Sequence, residues 1–68
     1  MSFILVFDIP REDKLLKLRV NRLLHKIDAK KLQFSVWKSE RLADLIDVAN
    51  LIRGNKGSAS ILEEKFIF

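Results

Sequence analysis

At 68 residues the chain is long enough for a single domain spanning 1–68 and no more, and a domain of that size buries only about 60% of its unfolded surface. It has no cysteine, which excludes disulfides and thiolate metal sites, and no run approaches the ~18 apolar residues of a membrane span. Lys and Arg outnumber Asp and Glu by 13 to 9, giving a formal net charge of +4 and a pI of about 9.8, a balance that suits a polyanionic partner.

Residues 3–7, Phe-Ile-Leu-Val-Phe, form an unbroken run of strand formers and predict a strand buried on both faces. The run is too short for a signal peptide and lacks a basic lead-in, so a soluble, cytoplasmic protein without membrane contact is expected. Asp8 ends the run, and Pro10 suits the first turn of a helix. Over 11–27 the period changes: Leu16, Val20, Leu23, Leu24 and Ile27 share a helical stripe, opposite Lys14, Arg22, His25 and Lys26. Lys30 and Lys31 then make a charged turn.

Residues 32–38 alternate as one strand, with Leu32, Phe34 and Val36 on one side and Gln33, Ser35 and Trp37 on the other. Ser39 is a plausible N-cap for a second helix on which Leu42, Leu45, Ile46, Ala49 and Ile52 repeat. Gly54-Asn55-Lys56-Gly57 is the strongest turn signal. Residues 58–62 read as a strand, and short strands are also considered at 40–42 and 66–68.

Two such helices cover only one face of a small sheet. The expected class is therefore α+β, most simply a ferredoxin-like split βαβ arrangement. Hydrophobic residues make up 49% of the chain, which is high for so small a domain, and a second copy of the sheet is the simplest cover for the open face.

Two segments resemble the CRISPR-associated protein two family: Phe3-Ile4-Leu5-Val6-Phe7-Asp8-Ile9, like its apolar first strand ending in Asp, and Lys30-Lys31-Leu32-Gln33-Phe34-Ser35-Val36-Trp37, like its basic pair, aliphatic, Gln, aromatic, Ser, Val, aromatic signature. Together they bound residues 3–38, just over half of the chain. The resemblance implies a βαββαβ fold, a homodimer, and a role beside the CRISPR integrase partner in acquiring spacers for antiviral defence, as a scaffold for duplex DNA. It also implies Asp8 as the ligand of a divalent metal in a nuclease. The chain departs from the family in its second half, where the third strand is minimal and Phe66-Ile67-Phe68 stands where a longer strand would cross to the partner subunit.

Asp8 is the one candidate catalytic and metal-ligating residue. Two copies across a dimer axis could hold one Mg²⁺, with water completing the shell, for phosphodiester hydrolysis of DNA or RNA. The competing reading makes Asp8 an acceptor for the free N–H groups of the first helix. Lys14, Lys17, Arg19, Arg22, Lys26, Lys30 and Lys31 are candidate phosphate contacts or a solvated face. Arg19, at the edge of the apolar stripe, is a candidate for reaching Asp8 or a phosphate. Phe34, Val36, Trp37, Phe66 and Phe68 are expected at the dimer interface, with stacking on a base as the other use of Trp37. Ser35 and Gln33 read as strand residues first, His25 as a surface residue, and Glu63 and Glu64 as solvated charges. Two alternatives to the CRISPR reading stay open: a stand-alone toxin-like ribonuclease of the same fold, and a non-catalytic dimerisation module.

Overall fold

The computed structural model describes residues 1–65. In chain order the elements are β1 (Phe3–Asp8), α1 (Lys14–Lys26), β2 (Lys30–Gln33), β3 (Val36–Ser39), α2 (Leu42–Arg53) and β4 (Ser58–Glu63). The strands form one antiparallel sheet in the order β2-β3-β1-β4. This is an α+β fold compatible with the ferredoxin-like βαββαβ arrangement: each half begins a split unit, and the two middle positions go to β1 and β3. The stretch 66–68, with the expected interface residues Phe66 and Phe68, lies outside the described residues.

Strand alternation sorts the sheet into two faces. Leu5 stands opposite Trp37 on β3 and Ile61 on β4, and Phe7 stands opposite Ala59. Leu5, Trp37 and Ala59 are buried in the cluster that also holds the apolar stripes of both helices. From α1 come Leu16, Val20 and Leu24, four residues apart. From α2 come Leu45, Val48, Ala49 and Ile52. Leu5, Val20, Leu24, Leu45 and Ile52 are almost wholly excluded from solvent, and truncating one such residue to Ala costs about 2–5 kcal/mol. The opposite face carries Ile4, Val6, Val36 and Leu62, with Val6 and Leu62 exposed. The first strand is thus buried on one face within this chain, where its unbroken hydrophobicity predicts two.

The helix ends are built from identifiable contacts. Asp13, and not Asp8, caps α1: the Leu16 N–H donates to Asp13 Oδ1 at 3.1 Å. Pro10 precedes the helix by a turn, its carbonyl accepting from the Asp13 N–H. At the other end Ala29 N–H donates to Leu24 O and Asp28 N–H to His25 O, with Asp28 at φ 56°. This is a Schellman closure with Asp in the left-handed position usually given to Gly. Ser39 Oγ accepts from the Arg41 N–H at 3.1 Å, so it braces Arg41, the N-cap of α2, and is not itself the N-cap. Residues 40–42 form no strand: Glu40 is a bend, and the helix starts at Leu42.

The single strand expected over 32–38 is two strands. Phe34 and Ser35 form a two-residue turn between β2 and β3, with Ser35 at φ 64° as in the third position of a type II turn. A register irregularity between Lys31 and Gln33 accompanies it. The third strand is therefore Val36–Ser39, as long as β2, and contains Trp37, where the sequence predicts a minimal third strand beyond that residue. The Gly54–Gly57 turn behaves as read. The Arg53 guanidinium donates twice to the Ala59 carbonyl, at 3.1 and 2.6 Å, closing the turn from outside. A Cβ on Gly57 would meet Ile52 Cγ2 at 2.5 Å and the Asp8 carbonyl oxygen at 2.7 Å. Glycine here lets the end of β1 approach the end of α2.

Candidate nucleic-acid interface

The C-terminal end of β1 gathers the chemistry. Asp8 is exposed and pairs in register with Ser58. Alternation from Leu5 places it on the sheet side away from the helices. Beside it the hairpin tip is tied down, because the Phe7 N–H donates to the Ser35 carbonyl at 3.0 Å. Two recesses meet here. One, of about 580 Å³, is lined by Phe7, Asp8, Ile9, Arg11, Lys17, Phe34 and Ser35. The other, of about 380 Å³, runs between α1 and the hairpin, with the exposed Lys17, Asn21 and Lys31 beside an apolar floor of Phe7, Ile9, Val20, Leu24 and the buried Trp37. They share Phe7, Ile9, Lys17 and Ser35, so they form one continuous groove. Its charged lining is Arg11, Lys17 and Lys31 against the single carboxylate of Asp8, an arrangement that attracts anions.

Of the seven basic residues singled out from sequence, the groove therefore takes Lys17 and Lys31. Lys26 lines a separate cleft between the helices, with Arg41, Asp44 and Asp47. Lys30 stands opposite Lys38 across the β2–β3 pair, a like-charge juxtaposition relieved where Lys38 Nζ pairs with Glu64 at 3.0 Å. Lys14, Arg19 and Arg22 are exposed on α1 and line neither recess of the groove. Arg11, in the turn before α1, takes the place beside Asp8 expected of Arg19. Its position right after Pro10, next to the acidic strand end, is the sequence signal that marks it.

The hydrophobic candidates also separate. Val36 lies half-buried on the open face, opposite Val6. Phe34 projects from the hairpin tip, 87% exposed. Trp37 is only 3% exposed and packs in the core beneath the helices, with the His25 ring edge-on at 5.3 Å. Neither the dimer seam nor base stacking is open to Trp37 in this fold, because its place opposite Leu5 turns it toward the helices. His25 is an exposed residue whose ring covers the edge of that core Trp. Of the remaining polar residues, Gln33 is exposed opposite Val36, Glu63 is exposed, and Glu64 is the partner of Lys38.

Among the described residues Asp8 stands without companion ligands. Among the described residues no three His, Cys, Asp or Glu side chains come together as a metal site, and Arg11 and Lys17 line the same recess. Hard cations take six or more oxygen ligands, several of them from carboxylates or carbonyls. Mg²⁺ keeps several waters and binds through one or two carboxylates; one chain brings Asp8 to this place, and a second Asp8 from another copy would make a pair. No protein-family model matches the chain, and no curated protein sequence matches it. No helix among the described residues is long and apolar enough to cross a membrane.

The placement of Trp37 has a direct check. Trp37→Ala should lower unfolding stability by about 3–5 kcal/mol in urea titrations, enough to unfold much of a small domain. A variant with wild-type stability that merely dissociated into monomers would return Trp37 to an interface.

Proposed function

We propose that this chain is a dimeric, cytoplasmic nucleic-acid-binding protein of the CRISPR adaptation type, acting as a scaffold that grips the phosphate backbone beside an integrase partner. The observation that carries this reading is the groove at the end of β1, where Arg11, Lys17 and Lys31 converge over an apolar floor. Three cations against one carboxylate favour polyanion binding, and contacts of this kind position a backbone without reading sequence. The segment from Lys30 to Trp37 that carries the family resemblance builds the hairpin wall of this groove.

Self-association is proposed through the open sheet face. Ile4, Val6, Val36 and Leu62 form an apolar band across three adjacent strands, and both helices lie on the other side. Sheet-on-sheet packing would bury that band. Asp8 points to the same side, so two copies joined this way have their carboxylates facing the seam. Any Mg²⁺-dependent cleavage would rest on that pairing, with the ion supplying Lewis acidity toward a phosphodiester and each chain contributing Asp8.

Binding should weaken as salt rises. For duplex DNA the slope of log affinity against log salt falls by about 0.9 per phosphate contact. Replacing both Lys17 and Lys31 by Gln should therefore flatten the slope by roughly 2 in filter-binding titrations. Affinity independent of salt, or an unchanged slope in the double variant, would remove the groove from the interface.

Val6→Glu places a charge in the middle of the open face and should yield a monomer in analytical ultracentrifugation under conditions where the wild type is a dimer. A wild-type monomer at all concentrations would end the sheet-to-sheet proposal.

Asp8→Ala should abolish Mg²⁺-dependent cleavage while leaving DNA binding intact, as measured on one labelled duplex. Cleavage that persists in the variant would show that Asp8 plays no part in it.

A further inference from the structure

Among the described residues Phe34 is the most exposed of the large hydrophobic side chains, at 87%, and it occupies a turn, where Gly, Pro, Asn, Asp or Ser ordinarily stands. Lone exposed apolar residues are common, but this ring is not lone. Lys31 Nζ lies 4.5 Å from its centroid, over the ring, a cation–π contact that orients the side chain. The turn beneath it is fixed as well, since Ser35 is held at φ 64° and its carbonyl accepts from Phe7. Phe34 also lines the same recess as Arg11, Lys17 and Asp8. A flat, solvent-facing aromatic ring, held in place and bordered by cations, sits at the mouth of an anion-attracting groove.

We propose that Phe34 is a stacking platform for one unpaired nucleobase on the ring face that Lys31 leaves open, with Lys31 and Lys17 holding the adjoining phosphates. The proposal rests on the nucleic-acid reading above and narrows its ligand. Bases inside a duplex are already stacked on their neighbours and do not reach a side chain at a hairpin tip. An unpaired base has a free face, and stacking is indifferent to base identity because every base has one. The lysine over the ring supplies charge where the adjoining phosphate must lie, so base and backbone are bound by neighbouring groups of one turn. The element would thus act where a strand end or a junction leaves a nucleotide unpaired.

The test compares labelled oligothymidylate with an abasic strand of equal length, by fluorescence anisotropy at one fixed salt concentration. Phe34→Ala should weaken oligothymidylate binding about tenfold and leave the abasic strand unchanged. Phe34→Trp should retain the wild-type preference, whereas Phe34→Leu, equally apolar but without a π-face, should lose it. Circular dichroism checks that each variant is folded, which the exposure of the site favours. Equal loss on both strands, no loss on either, or full binding by Phe34→Leu would overturn the proposal. A Phe34→Ala variant that dissociates from dimer to monomer with oligothymidylate affinity intact would overturn it too, by assigning the ring to the interface. Wild-type protein that binds neither strand nor duplex would instead remove the nucleic-acid reading itself, whereas salt-dependent binding indifferent to Phe34 would remove only the stacking role.

Discussion

Leu5 and Trp37, opposite each other on neighbouring central strands, set the phase of the whole sheet. Both are buried against the helices, so their partners in alternation, Ile4, Val6, Val36 and Lys38, are directed to the other face. A slip of one residue between the strands would exchange the two sets, burying a lysine and exposing a tryptophan. That penalty fixes the register, and the register fixes the rest. It brings the end of β1 level with the hairpin tip, places Ser35 within hydrogen-bonding distance of Phe7, and turns Asp8 away from the helices.

The same constraint explains the shape of the candidate site. A chain of this length has enough apolar material for one well-packed layer between sheet and helices, and the remaining hydrophobic residues stay on the outer face of the sheet. The groove arises where that layer ends, between the first turns of α1 and the β2–β3 hairpin. Its floor belongs to the core and its rim to solvent, so cations at the rim sit beside low-dielectric walls that strengthen their field. Asp8 is the exception in an otherwise positive rim. Within one chain it tempers the local charge.

Much of the fold was legible in the sequence because the helices are amphipathic in the ordinary way. Leu16, Val20, Leu24 and Ile27, and later Leu45, Ala49 and Ile52, fall on the faces their spacing requires. The Gly54–Gly57 turn was equally plain. The β2–β3 hairpin was not, for a physical reason: its turn is made by Phe34 and Ser35, with no Gly, Asn, Asp or Pro to mark it, and Ser35 adopts a left-handed backbone that its side chain does not advertise. Alternation simply ran through the turn. Once the chain reverses there, Trp37 changes partners, which is why an aromatic expected at a subunit seam belongs to the core. Helix capping was misread in a related way, since Asp8 and Asp13 are both acids upstream of α1 and only the second is close enough to accept from Leu16. The basic residues show a further limit. Charge along a helix is visible in sequence, but which charges meet depends on packing, and packing selected Lys17 and Lys31 and added Arg11.

The outer strand β2 is fully exposed along its length, carries adjacent lysines, and departs from regular pairing near its end. Such an edge resists the addition of another strand. Sheet growth by edge-to-edge pairing is thus disfavoured on the β2 side. The lysines of β2 therefore work against open filaments built by strand addition at that edge.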